Sequence, residues 1–431
     1  MNRNNLRVVS IMLLSIILVA MPFIGACAPA PTAPTAPTAP KPEDQPLKVG
    51  FPLICSGAAA EKGAPGAYGK LACIRYINEE LGGVNGHPIE VHWYDDAYDA
   101  AKTISVVKML MEENCLFFTT SSSKEMEATM EIANRAGFLG MVYCGSTKCV
   151  HPPAHIFAMM PMYDDDWVAF AKYYLANIWK GPGKPKMVLC MLNNPVGYAA
   201  KAASLAFAEQ LGIEIIAEEE HTATTISEMA SLTRIRALNP DVLWISSTPA
   251  PAAVIIKNAY ALGMYPGVTI GVSHAGMVQT LIDLGGAKVV EGVYGTSPIA
   301  LWGEGVPGEA KMAEYCDRLY PRVLGYTDFE GCWAEGLIVA EVLRLALENC
   351  GYEKLAKGGP EAWECVERCG FRNVKNFSPG GIIGPVDFSD DYDLRGSKSL
   401  RIVKVVNGEM RSISDWMETE PIHYEEFEWF K

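Results

Sequence analysis

From Leu47 onward, short apolar runs rich in β-branched and aromatic residues alternate with longer segments whose apolar positions recur at helical spacing. Residues 47–53, 89–94, 116–119 and 138–143 read as strands, with 64–81, 100–113 and 124–136 as the helices between them. The pattern then restarts. Helices are expected at 166–179, 199–211, 227–238, 252–262 and 277–284, and strands at 187–192, 213–217, 241–246 and 268–272. Strands that alternate with helices predict βαβ units, hence parallel sheets covered on both faces. Two such sets exceed one sheet of ordinary size, so the expected fold class is α/β with two lobes. Further on the alternation breaks. Two long helices are expected at 309–324 and 331–347 and a third near 360–368, before the turn Ser378-Pro379-Gly380-Gly381. Strand-like Val386-Asp387-Phe388 and a strand at 400–406 follow, the latter ending at Asn407-Gly408, a hairpin signal.

The first 26 residues have a different character. Arg3 and Arg7 precede an apolar run from Val8 to Ala20, and no acidic residue occurs before Glu43. This is the layout of a secretory signal. Ile24-Gly25-Ala26-Cys27 resembles the lipobox of bacterial lipoproteins, which makes Cys27 the lipidated first residue of the mature chain. The alternative is an uncleaved anchor, for which the apolar run is short. Residues 27–46 are dominated by Ala, Pro and Thr, a composition that fixes φ, removes backbone donors and makes a semi-rigid tether. The expectation is a body held outside the cytoplasm by a lipid, beside the membrane but not in it.

Composition narrows the partners. The 431 residues carry 36 Lys+Arg against 50 Asp+Glu, a formal charge of −14, which excludes a basic face for nucleic acid. Of 12 cysteines, an odd number remains once Cys27 is set aside, so at least one outside the cytoplasm is free or paired between chains. Cys73 and Cys190 lie in apolar runs and read as small core residues. Cys144 with Cys149, and Cys365 with Cys369, have spacings open to a disulfide or to metal ligation, but no second pair at zinc-site spacing accompanies either. Neither a metal nor a cofactor is expected. There is no Gly-x-Gly-x-x-Gly turn and no Gly-Lys-Ser/Thr phosphate loop. Gly271-Val272-Ser273-His274-Ala275 has the setting of a nucleophile elbow but ends in Ala and has no partner acid and His in order after it. His151-Pro-Pro-Ala-His155 cannot be a regular helix. No enzyme motif is complete, so an enzyme is not expected.

Several short motifs then fall in order: Lys48-Val49-Gly50-Phe51-Pro52-Leu53 with Ser56-Gly57, Ile77-Asn78, Leu81-Gly82-Gly83-Val84-Asn85-Gly86-His87-Pro88-Ile89, Asp95-Asp96-Ala97, and Glu291-Gly292-Val293. With the ending at Asn407-Gly408, the chain resembles the extracytoplasmic solute-binding proteins of the branched-chain amino acid type that feed ABC transporters. Asp95-Asp96 reads as a strand-to-helix turn. The resemblance implies a type I periplasmic-binding fold of two mainly parallel sheets flanked by helices and joined by a three-strand hinge near Pro161, Ser297 and Ser378. Lobe 1 would comprise residues 47–161 and 298–377, and lobe 2 residues 162–297 and 378–431. It also implies a small-molecule ligand between the lobes, an ABC permease with its ATPase as partners, or a sensing role on the same fold.

The resemblance places the ligand at loops where strands end and helices begin. In lobe 1 these loops offer Ser121, Ser122, Ser123, Ser146 and Thr147 to a ligand carboxylate, although Ser122-Ser123-Lys124-Glu125 also has the form of a capping box. In lobe 2 they offer Tyr163, Tyr198, Thr248, Ser273 and His274. Relatives that bind amino acids grip the ammonium with carboxylates. Here those places carry none, the nearest being Asp164, and Lys62 stands where many relatives are apolar. An organic acid is therefore expected in preference to a zwitterion, since a buried ammonium without a carboxylate is costly.

Overall fold

The computed structural model describes residues 45–428, so the signal, the lipid site Cys27 and most of the tether lie outside the described residues. The first sheet contains β1 (Leu47–Leu53), β2 (Ile89–Asp95), β3 (Phe118–Thr120), β4 (Gly140–Val142) and β5 (Ile156–Ala158), ordered β2-β1-β3-β4-β5 and parallel throughout. β1 pairs with β2 in register from Leu47↔Ile89 to Leu53↔Asp95, but it meets β3 only at Gly50↔Phe118. Pro52, which has no N–H to give, sits where β3 has already diverged, which is why a central strand tolerates it. β5 was not expected. It has three residues and follows His151-Pro152-Pro153, with nothing periodic to mark it.

The second sheet holds β6 (Lys186–Leu192), β7 (Glu214–His221), β8 (Val242–Ser246), β9 (Thr269–Val272), β10 (Tyr294–Ser297), β11 (Ser399–Val406) and β12 (Glu409–Ser412), in the order β12-β11-β10-β9-β8-β6-β7. β13 (Met417–Glu418) pairs with β11 off that path. Strands β6 to β10 run parallel, whereas β11 is antiparallel to both β10 and β12. Asn407 and Gly408 turn β11 into β12 at φ of 56° and 76°, the conformation that their residue types favour. Val386-Asp387-Phe388 forms no strand. Val386 makes only an isolated bridge to Phe377, and Phe388 is packed in the core.

Five helices matter for the site: α1 (Ala60–Glu80), α2 (Ala100–Glu112), α3 (Ser123–Ala136), α4 (Tyr163–Tyr173) and α5 (Pro195–Leu211). α1 starts a full turn before Pro65, because Lys62 and Gly63 both donate to the Ala59 carbonyl and the chain is helical before the proline is reached. The long helix Thr327–Cys350 lies against α1. A Cβ at Gly69 would stand 2.1 Å from the Phe329 carbonyl oxygen and one at Gly66 2.9 Å from Cys332 Sγ, so only glycine permits this approach. That contact brings residue 328 to residue 62. Among the described residues no helix is long and apolar enough to cross a membrane.

The cysteines differ from both sequence pairings. Cys350 and Cys365 form a disulfide, while Cys144, Cys149 and Cys369 are free thiols. Sequence spacing does not reveal this pair, because the turn between two helices brings Cys365 to Cys350.

Candidate functional site

A small cavity of about 30 Å³ lies between the two sheets. Ile54, Ala59, Lys62, Gly63 and Gly66 from the loop after β1 and the start of α1 form one wall, with Tyr98, Ser121, Ser122 and Tyr143 from the loops after β2, β3 and β4. Tyr163, Val196, Thr248 and Ala275 face them from the other sheet, and Asp328 and Cys332 come from the long helix.

Two ion pairs set its electrostatics. Lys62 Nζ meets Asp328 Oδ1, with the side chains only 13% and 3% exposed. Burial works against the Lys62 charge, but Asp328, with Cys144 and Cys332 nearby, raises the lysine above its usual range. Burial likewise raises the Asp328 carboxyl, against the pull of Lys62. Behind the wall, His274 Nδ1 lies 2.7 Å from Asp166 Oδ2, and the same oxygen accepts the His274 backbone N–H at 3.1 Å. Burial alone would make this imidazole neutral. The charge and hydrogen bond of Asp166, together with Cys144 beside the ring, overcome it and lift the pKa to about 10. The ring stacks on Tyr163 with centroids 4.8 Å apart.

The cavity also holds unused hydrogen-bonding groups. Ser122 Oγ, Tyr143 OH, Thr248 Oγ1 and Asp328 Oδ2 are buried without a protein partner. The Ser122 hydroxyl does not cap α3. Glu125 instead reaches back to the Ser121 N–H at 3.0 Å, which leaves the Ser122 side chain for the cavity.

Of the residues singled out by sequence, Lys62, Ser121, Ser122, Tyr163 and Thr248 line the cavity, and His274 supports it through Tyr163. Ser273 is fully buried next to His274, and Ser123 is buried in the first turn of α3. Neither lines the cavity. Ser146 spends its hydroxyl on Glu127 at 2.6 Å, and the Thr147 N–H donates to Asp164 at 2.8 Å, so that loop is committed elsewhere. Asp164 also accepts the Tyr424 hydroxyl at 2.7 Å and does not line the cavity. Tyr198 is 42% exposed, with its hydroxyl 3.5 Å from Glu220. Sequence reasoning does not single out Asp328, Asp166 or Tyr98. Asp166 had a visible sign in the acidic run after Tyr163, but Asp328 had none, since it is 266 residues from Lys62. Asp95 and Asp96 are turn builders. Asp95 accepts the N–H groups of Cys55, Ser56 and Ala97, and Asp96 accepts the N–H of Tyr98 and the Thr103 hydroxyl.

Two sheets that close on a cavity with free hydroxyls and paired charges define a class of proteins that hold a small solute between α/β halves. The chain belongs to the periplasmic binding protein family, whose model matches residues 46–409. Its fold is the two-lobed type I form. No curated protein matches the chain by sequence. Solved structures match it in shape. A branched chain amino acid ABC transporter from Thermus thermophilus with bound valine is 18% identical, with a TM-score of 0.78 over 89% of this chain and 99% of that one. A fatty acid ABC transporter substrate-binding protein from Thermomonospora curvata is 20% identical, with a TM-score of 0.75 over 88% and 93%. LivJ of Streptococcus pneumoniae in complex with isoleucine is 19% identical, with a TM-score of 0.70 over 87% and 99%.

Proposed function

We propose that this protein is the solute receptor of an ABC importer, held outside the cytoplasm by a lipid on Cys27, and that it closes two lobes over a small carboxylate-bearing ligand. The lobes are residues 47–161 with 298–377 and residues 162–297 with 378–431, and the closed form docks on a permease driven by an ATPase. The role is binding, not catalysis, in keeping with the transporter proteins that share the fold. The observation that carries the ligand class is the set of unpaired hydroxyls, Ser122 and Tyr143 from one side and Thr248 from the other, in the cavity that Lys62 also lines. A buried polar group left unpaired costs about 1–3 kcal/mol, and a carboxylate accepting from these donors recovers that cost.

An amino acid is the second reading, favoured by Asp328 Oδ2, which is buried, unpartnered and available to an ammonium. Calorimetry on protein stripped of ligand by unfolding and refolding separates the two. Isovalerate and aromatic acids should bind at least tenfold more tightly than valine. Tight binding of valine with no response to the acids would establish the amino acid reading, and no response to any carboxylate would overturn both.

A further inference from the structure

The ligand function leaves unused a cluster of three half-buried cysteines. Cys350 ends the long helix Thr327–Cys350, Cys365 ends the helix Gly359–Cys365, and Cys369 lies one turn further, in the segment Val366–Gly370. Cys369 Sγ is 4.0 Å from Cys365 Sγ, and the three sulfurs all lie within 4.8 Å of one another.

Two chemistries suit three neighbouring sulfurs, and the geometry chooses between them. In a thiol–disulfide relay the attacking, central and leaving sulfurs are in line. With an approach of 4.0 Å and an S–S bond of about 2.05 Å, the attacker would stand about 6 Å from the leaving sulfur. Cys369 is within 4.8 Å of both partners, so it sits beside the bond instead of along its axis. Convergence on one ion fits better. At a metal–sulfur distance of about 2.3 Å, three thiolates in a trigonal plane are about 4.0 Å apart, which is the Cys365–Cys369 separation.

We propose that the reduced Cys350–Cys365–Cys369 cluster is a trithiolate site for a soft closed-shell cation, Cu(I) foremost, and that the Cys350–Cys365 disulfide is its metal-free state. A dithiol reductant delivers two electrons and two protons to the disulfide and is itself oxidised to a disulfide. Ligation then displaces the thiol protons. Structural zinc sites take four protein ligands. Among the described residues the cluster comprises these three cysteines alone, so three-coordinate Cu(I) suits it better than zinc. The site is separate from the ligand cavity. Asp328 and Cys350 are near opposite ends of one helix, about 33 Å apart at 1.5 Å per residue.

The test is Cu(I) competition against a chromogenic chelator, using the full chain reduced with a dithiol and desalted without oxygen. Reduced wild type should take up one equivalent more than reduced Cys369→Ser, which loses at least 100-fold in affinity at this site. The oxidised chain should not take up that equivalent, and zinc should compete poorly. X-ray absorption should find three sulfurs at about 2.3 Å. Cys369→Ser retains the disulfide pair, and circular dichroism checks that it is folded, with Cys369→Ala as a second variant. Equal Cu(I) uptake by wild type and both variants, or a shell of fewer than three sulfurs, overturns the proposal.

Discussion

At the scale of single residues, the cavity is governed by two buried ion pairs, and each makes a distinct demand. Removing one member of a buried pair strands the other and typically costs about 3–5 kcal/mol, whereas replacing both with apolar groups of similar size costs far less. Lys62→Met and Asp328→Asn should therefore each destabilise by about 3 kcal/mol, while Lys62→Met with Asp328→Leu should recover most of that in urea melts. Asp328→Asn should keep carboxylate binding and Lys62→Met should lose it. Equal loss in both would show that Lys62 acts only on Asp328. The second pair leaves a pH signature. Asp166, with Cys144 beside the ring, raises His274 against burial from 6.5 to about 10, so the folded state holds this proton more tightly than the unfolded chain. Its stabilisation is fully present below pH 6.5 and is lost as pH rises towards 10. His274→Gln should flatten the urea-derived stability over that window. An unchanged slope would remove His274 as its source.

At the scale of elements, the first turn of α4 organises the site, because its three successive carboxylates reach three different segments. Asp164 holds the Thr147 N–H and the Tyr424 hydroxyl, Asp165 meets Arg395 at 2.8 Å, and Asp166 holds His274. A helix N-terminus favours negative charge, which helps this crowding. Asp164 is nonetheless pushed by burial from 3.8 to about 7, against its hydrogen bonds. The sign is opposite to the usual carboxylate case. The folded state binds this proton more tightly, so the contribution is full below pH 3.8 and is lost as pH rises through about 7. Asp164→Asn should remove that decline, as measured by thermal melts between pH 4 and about 8. Legibility followed locality. β1 and the hairpin at Asn407-Gly408 are readable because their signals lie within a few residues. The sequence could not say whether Ser122 would cap α3 or face a ligand, since Glu125 decides that by bonding to Ser121 instead. β5 and the Cys350–Cys365 bond depend on partners brought from elsewhere in the chain, as Asp328 does.

At the scale of the whole molecule, the proposed closure gives physical meaning to contacts that join the two sheets around the cavity. Asn194 Nδ2 donates to Tyr98 OH at 2.9 Å, and Tyr326 OH donates to Asp283 Oδ2 at 2.8 Å. Each links a segment beside the first sheet to one beside the second. Leu192, Val196, Ala199 and Ala275 from the second sheet's side also share one apolar cluster with β1 and α1. A ligand shifts such an equilibrium only through contacts made in the closed form. If these two hydrogen bonds exist only there, each adds about 1 kcal/mol to ligand affinity and nothing to the stability of the open form. Tyr98→Phe with Tyr326→Phe should therefore weaken ligand binding about thirtyfold, mostly through faster dissociation, and leave the melting temperature of stripped protein unchanged. At one hundred times its dissociation constant a ligand stabilises by about 2.7 kcal/mol. At one fixed ligand concentration the double variant should show a clearly smaller shift than wild type. Equal destabilisation of stripped and ligand-bound protein would mean that the sheets are held together permanently, and the receptor would then have to admit its solute without opening.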